Sequence, residues 1–557
     1  MWLNINSEST FLGNETQRQA EGETMLKLNE EGLKNRQAWQ EKGYILPAFD
    51  REAMIRETKK NPVWVHFGAG NIFRAFQCAA VQRMLDSGKM KAGIIAVEGY
   101  DGEIVEKGYR PFDNYTLAVT LRADGTVEKR VIGSVAESRI LDAHLAAEFA
   151  RLQEIFRSPS LQMATFTITE KGYSVRGGKG EILPAVAEDL KNGPGKPESY
   201  LGKVASLLYA RYQAGGAPIA MVSTDNCSHN GEKLYQAIHF FAEGWKDEGF
   251  RAWIEDGKKV SFPWSMIDKI TPRPDASVEK MLRADGLEDM DPIVTAKKTW
   301  ISSFVNAEES EYLVIEDDFP AGRPPLEAAG FLMTDRETVN RVERMKVTTC
   351  LNPLHTALAV FGCLLGYGRI SEEMKDADLV RLVKRIGYTE GLPVVTDPGI
   401  LNPRDFLDTV VNVRLPNPFM PDTPQRIACD TSQKIPIRFG ETIKGYLADP
   451  GKNPADLEAI PMAIAGWLRY LLGVDDKGEA FELSPDPRLE EMKGRIAGIT
   501  LGDPASADGK LEGILSDATL FGVSLMEAGL AEKVTGLLKK MLKGPGAVRE
   551  TLAALPE

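Results

Sequence analysis

Histidine and cysteine are scarce and positive charge is in deficit, and each shortage removes a class of protein. The five cysteines (Cys78, Cys227, Cys350, Cys363 and Cys429) are odd in number, scattered and without a CxxC pair. Neither a disulfide framework nor a structural zinc is therefore expected. With only five histidines, metal-centred chemistry lacks its commonest ligand, and no metal is expected. Lys and Arg number 67 against 80 Asp and Glu, a formal charge of −13. That balance argues against nucleic acid or an anionic membrane as the main partner. No apolar run reaches membrane-spanning length, and residues 357–366 read as a core helix. The first 24 residues are polar and lack a signal-peptide core, so a cytoplasmic location is expected. Those residues read as an extended start or a cloning remnant.

What is present is ordinary globular composition, 43% apolar and 26% charged over 557 residues, enough for two or more domains. Residues 25–42 have helical spacing, residues 43–50 form an extended arm, and residues 51–61 are polar. Then 63–67 (VWVHF) is a short buried strand, followed by Gly68-Ala69-Gly70 and helical periodicity over 71–85. Strand, glycine turn, helix is the setting of a phosphate-cradling loop, although Phe73 stands where a third glycine is usual. A second strand (93–97, GIIAV) leads to Glu98 and Asp101. An acid there would bond ribose hydroxyls and repel a 2′-phosphate, favouring NAD over NADP. Residues 163–168 and 219–223 are further strands. Each ends in a polar cluster, Thr169-Glu170-Lys171-Gly172-Tyr173 and 224–231 (TDNCSHNG), where open α/β sheets bind ligands. His229 and Asn230 read as loop chemistry, whereas Asn226, next to the strand end, reads as functional.

Beyond residue 335 the pattern turns helical, over 335–368, 372–387, 404–413, 454–473, 487–497, 510–530 and 531–543. The fold expected is an α/β Rossmann-type domain (51–335) after an N-terminal extension and arm (1–50), then a mainly α-helical domain (336–557). The first of these helices places Glu343, Lys346, Asn352 and His355 within four turns. A lysine, an amide and an imidazole so grouped can move the proton of an alcohol without a metal. The accompanying hydride then needs an acceptor, which the glycine turn would hold.

These residues resemble the mannitol dehydrogenase family of polyol-specific long-chain dehydrogenases. The resemblance runs from about residue 26 to 487 through HFGAGNIFRAF, TITEKGY, STDNCSHNG, FPWSMIDKITP, VIEDDFPAGRP, VRLPNP, SQKIPIR and WLRYLLGVDDKG. It is less clear over the last 70 residues. It implies NAD as cofactor and a small sugar acid or polyol as substrate, handled by a monomer or weak homo-oligomer. Lys346 would be general base for alcohol oxidation and general acid for ketone reduction, a role that a dry cleft favours. Asn352 and Asn226 would steady the developing alkoxide. His355 would orient the substrate, and Glu343 would pass protons to water. Phe67, Gly68, Gly70, Asn71 and Arg74 would lie on the nucleotide side, with Thr169, Glu170 and Lys171 near the nicotinamide. Asp268 and Arg414 would hold substrate hydroxyls, with Lys434 and Arg438 as a charged wall. Three basic side chains suit a carboxylate, so D-mannonate and D-fructuronate are the favoured pair. Tagaturonate reduction and mannitol 2-dehydrogenation remain open, as does an inactive NAD-binding redox sensor.

One departure bears on the chemistry. Five residues separate Lys346 from Asn352 where the family has four. On an ideal helix Lys346 then lies about 180° from His355. Pro353 cannot donate to the carbonyl of residue 349, so a π-bulge or kink between Lys346 and Pro353 is expected to absorb the extra residue.

Overall fold

A computed structural model describes residues 25–556; the reading of residues 1–24 lies outside the described residues. The chain forms two compact units, one of residues up to 121 together with 126–336, the other of 122–125 together with 337 onward.

The first unit is built on six parallel strands: β1 (Trp64–Phe67), β2 (Ile94–Glu98), β3 (Val135–Ile140), β4 (Met163–Phe166), β5 (Ile219–Ser223) and β6 (Val260–Ser261), in the spatial order β3-β2-β1-β4-β5-β6. Every residue of β1, β2, β4 and β5 is buried. That is why these strands read as nearly continuous apolar runs, each with one polar residue (His66, Glu98, Thr165 and Ser223), since both faces of a parallel sheet are covered. The order reverses between β1 and β4, and ligands of such sheets bind outside the carboxyl ends at that switch. Residues 51–61, merely polar by sequence, contain a ten-residue helix, Arg51–Lys60, capped by Asp50. By contrast, the helical spacing of 25–42 yields only a 3₁₀ turn, Gly32–Lys34, and a short helix, Arg36–Glu41.

The second unit is helical throughout its named elements. Helix α1 (Arg336–Met345), the π-helical turn Lys346–Cys350 and α2 (Asn352–Leu365) run in series. Helix α2 starts with Pro353 in its first turn and ends on Gly366 at φ +78°, the usual asymmetry of helix ends. Contrary to the sequence expectation, the run Arg336–Leu365 is long and apolar enough to cross a membrane by composition. However, 83% of its apolar window is buried within the protein, the mark of a core helix. Residues 510–530, expected as one helix, form two single turns, Glu512–Leu515 and Ala518–Phe521. Asp517 caps the second and Gly522, at φ +79°, ends it.

Under α2 lies a carboxyl group without a partner. Glu373 is fully buried, neither oxygen accepts a hydrogen bond, and burial followed by Asp376 and Glu372 pushes its pKa well above the carboxylate range. The folded state keeps a proton that the unfolded chain releases near pH 4.5, so stability falls as pH rises above that value. Glu373→Met is therefore expected to stabilise the protein by about 1–3 kcal/mol at pH 8. The gain should shrink toward pH 4.5, and urea unfolding at both pH values checks it.

Candidate functional site

The glycine turn sits at the carboxyl end of β1, and its two glycines do different work. Gly68 has φ +104°, and a Cβ there would lie 2.0 Å from the carbonyl oxygen of Thr167. Only glycine lets β1 and the chain leaving β4 approach so closely. At Gly70, by contrast, an added Cβ would meet nothing within 4 Å, which leaves an open face of the kind a pyrophosphate fills. The turn thus fits a dinucleotide. Gly70→Ala is expected to leave stability within about 0.5 kcal/mol yet weaken NADH binding about tenfold, as read by titration and thermal unfolding.

The other nucleotide-side residues divide. Phe67 is fully buried and stacks on Phe166 with centroids 4.9 Å apart, so its side chain is core beneath the turn. Asn71, half-buried at the turn, has Nδ2 3.5 Å from the Pro272 carbonyl. Arg74 lies in a π-turn, Phe73–Gln77, and is 2% exposed. Its Nε donates to the Thr116 hydroxyl, its guanidinium lies over Tyr109, and its Nη2 has no partner. Glu98 and Asp101, expected as ribose ligands, are both buried. The Glu98 carboxylate accepts from the backbone N–H groups of Ala69, Tyr100 and Asp101, and burial raises its pKa. Asp101 accepts from the Thr295 hydroxyl and the Glu103 amide. Both acids therefore knit loops, and Glu98 ties the second strand end to the glycine turn.

At the carboxyl end of β4, Thr169 has φ +64° and ψ 158°, a region occupied almost only by glycine. Holding a β-branched residue there costs about 1–3 kcal/mol, and Thr169 is exposed, so packing does not account for it. Glu170 and Lys171 follow, also exposed, with Glu170 paired to Lys233 at 3.2 Å. Asn226 is exposed at the end of β5. Asn230 is buried and saturated, donating to Asp225 and Ser265 and accepting from Gly231 and Ser265, while His229 stacks on Trp264. Loop chemistry accounts for both, as expected from the sequence. Asp268 is buried in the strand Ser265–Asp268.

In the second unit the expected π-turn is present. Lys346 is its first residue and is 4% exposed. The Leu351 N–H donates to the Lys346 carbonyl at 3.1 Å, an i→i+5 bond spanning one residue more than an α-helical bond. That bond absorbs the inserted residue, so Lys346 and His355 sit as if eight residues apart, about 80° rather than 180°. Glu343 is half-buried one turn before Lys346.

Around His355 gathers charge from three other segments. Its Nε2 is buried, 3.4 Å from Asp422 Oδ2 and without a hydrogen bond. Burial lowers the imidazole's pKa, with Arg438 and Arg414 acting the same way and Asp422 opposing. For Asp422, burial alone would raise the carboxyl, but His355 and then Arg426 beside it bring it below the usual range. Arg438 donates to the Thr356 hydroxyl at 2.5 Å, and burial lowers its pKa to about 10. Arg414 ends another π-turn, Val410–Arg414, and is 6% exposed. Lys434 stands apart in role: its ammonium donates to the carbonyls of Ile427 and Cys429, and burial, then Arg438, lowers its pKa. Sequence reasoning alone does not single out Asp422 or Asp225. The signals it offers are Asp225 two residues after a buried strand and Asp422 between Pro421 and Pro424.

Residues 63–328 match the family model described as the mannitol dehydrogenase Rossmann domain, and residues 338–542 match the mannitol dehydrogenase C-terminal domain. The second match extends well past the motifs that carry the resemblance. The D-mannonate oxidoreductase of Thermotoga maritima is 53% identical over 535 residues, covering 95% of this chain and 98% of its own. The structure of a substrate-free D-sorbitol dehydrogenase superposes with a TM-score of 0.74 at 27% identity, covering 92% of this chain and 97% of that one. The Pseudomonas fluorescens mannitol 2-dehydrogenase, as a ternary complex with NAD and D-mannitol, gives 0.66 at 27% identity, covering 95% and 99%. The α/β unit with its 3-2-1-4-5-6 sheet, the helical unit with its buried lysine, and these matches make the chain a member of the mannitol dehydrogenase family.

Proposed function

We propose that the chain is an NAD-dependent oxidoreductase interconverting D-mannonate and D-fructuronate, with Lys346 as general acid/base. The observation that carries this is the buried Lys346 at the head of a π-turn, which turns it toward the side of His355. In alcohol oxidation the Lys346 amine takes the hydroxyl proton; in ketone reduction it returns it. Glu343, one turn earlier, carries that proton onward to water. Asn352 and Asn226 supply amide donors for the alkoxide, His355 orients the substrate, and Asp268 holds a hydroxyl. NAD, when bound, would supply the hydride acceptor for the carbinol carbon, and Gly68, Gly70 and Asn71 would hold its phosphates.

The substrate's acid group is assigned to Arg414 and Arg438, both near enough to His355 to depress its pKa. Two guanidiniums suit a carboxylate better than a neutral polyol, and the 53% identity to a D-mannonate oxidoreductase supports the same choice. The inserted residue is the strongest reason to suspect an idle, NAD-sensing protein, and the π-turn removes it. NADH oxidation against D-fructuronate, D-tagaturonate and D-fructose tests the proposal. Expected is a kcat/KM for D-fructuronate at least about tenfold above the others; a preference for D-fructose would overturn the carboxylate assignment.

A further inference from the structure

The loop after β4 is fastened to the loop after β5 by one carboxylate. Asp225 is 6% exposed. Its Oδ1 accepts from the Thr169 N–H at 2.8 Å, and its Oδ2 accepts from the Ile168 N–H at 2.8 Å and the Tyr173 hydroxyl at 2.5 Å. The Tyr173 hydroxyl also lies 2.7 Å from the Ser223 hydroxyl. A second tie runs alongside, the Thr167 and Thr224 hydroxyls 3.0 Å apart, with Gln77 of the helix after the glycine turn donating to Thr224. Three donors converge on Asp225 from residues 168–173, and the residue they bracket is Thr169 in its glycine-type conformation. Nothing in the local sequence favours that conformation for threonine, so the bonds to Asp225 must impose it. Charge-assisted bonds to a buried carboxylate are strong enough to do so. The strained residue lies two positions after Thr167, whose carbonyl a Cβ on Gly68 would strike, at the strand ends where the sheet order reverses.

We propose that Asp225 is a positioning residue for the cofactor: its carboxylate clamps residues 168–173 and holds the Thr169 backbone in a strained form that receives the nicotinamide half of the dinucleotide. This rests on the dehydrogenase reading and on residues 169–171 facing the nicotinamide. The clamp binds no ligand itself. Relaxed, Thr169 would return to ordinary extended backbone and its peptide groups would turn away from the direction they now hold.

Asp225→Asn keeps the side chain's shape but sets an amide N–H₂ against backbone donors, which breaks the clamp. In the unliganded variant, the Ile168 and Thr169 amides are expected to exchange with solvent at least about tenfold faster than in the native protein. NADH should bind about tenfold more weakly, whereas ADP-ribose, which lacks the nicotinamide, should bind within about twofold of native. Thr169→Gly added to Asp225→Asn should bring NADH affinity back to within about threefold of native, because glycine adopts the conformation unaided. A purely structural Asp225 would not be rescued in this way. If Asp225→Asn does not fold, Tyr173→Phe removes one bond of the clamp and should cost about threefold in NADH affinity, again sparing ADP-ribose. Native-like NADH affinity and amide exchange in a folded variant would overturn the clamp. Equal loss of NADH and ADP-ribose would overturn the placement of this loop at the nicotinamide, and the proposal with it. Should the native chain bind neither ligand, the dehydrogenase reading fails, and the amide-exchange comparison still decides whether Asp225 holds the loop.

Discussion

Lys346→Ala is expected to lower kcat about 10²–10⁴-fold in both directions while leaving NADH affinity within about twofold. The reason is the division of labour between the units. The glycine turn and the strand ends that suit a dinucleotide belong to the first unit, and Lys346 belongs to the second. A buried lysine removed to alanine also leaves a cavity, so some loss of stability accompanies the change. Lys346→Met separates the two effects, since it fills most of the same volume without an amine and should be as inactive as alanine. Lys346→Arg keeps the charge but cannot give up its proton, and it too should be inactive. Activity in the arginine variant would mean that charge alone is needed at this position. Initial rates in both directions, with parallel NADH titrations, separate these outcomes.

The second large effect is expected at Gly68→Ala. A methyl group there meets the Thr167 carbonyl oxygen at 2.0 Å, and φ +104° is itself strained for alanine. Neither strand can retreat cheaply, because β1 and β4 are paired through Trp64, Val65, His66 and Phe67 and wholly buried. A loss of about 2–4 kcal/mol in stability is expected, together with at least about a hundredfold loss of NADH affinity. Urea unfolding and NADH titration read the two effects. Set beside Gly70→Ala, which should spare stability, this pair separates the glycine that lets the sheet close from the glycine that admits the ligand. Native stability in Gly68→Ala would show that the close approach at Thr167 is not required.

Much of this site is written in local sequence. The largely apolar runs at 63–67, 93–97 and 219–223 mark strands buried on both faces, and the glycine turn follows the first of them. At Lys346 the clue is a counting mismatch beside a proline: one residue too many, with Pro353 positioned to release a carbonyl. The π-turns that hold Arg74 and Arg414 carry no such clue, because their i→i+5 bonds are set by packing and not by a spacing to be matched. Glu98 shows a different limit. An acid at a strand end suits ribose hydroxyls and loop amides equally, and here three loop amides take it. Lys434 reads as pocket wall from its charge, yet its donors are engaged by carbonyls five and seven residues before it. Helices Thr431–Arg438 and Gly440–Ala448 escape the sequence pattern because Pro436 and Gly440 punctuate them; the structure carries Pro436 inside the first. The role of Asp225 depends on partners 52 to 57 residues away, and that of Asp422 on His355 in a different helix, beyond any local pattern.

A single-turnover experiment puts the central claim to its most direct test. The protein saturated with NADH is mixed rapidly with D-fructuronate, and nicotinamide absorbance and sugar-acid product are followed together. The expected result is one equivalent of NADH consumed and one of D-mannonate formed by the native chain, with no decay for Lys346→Met despite full NADH binding. Decay at the native rate in that variant would contradict the assignment of proton transfer to Lys346.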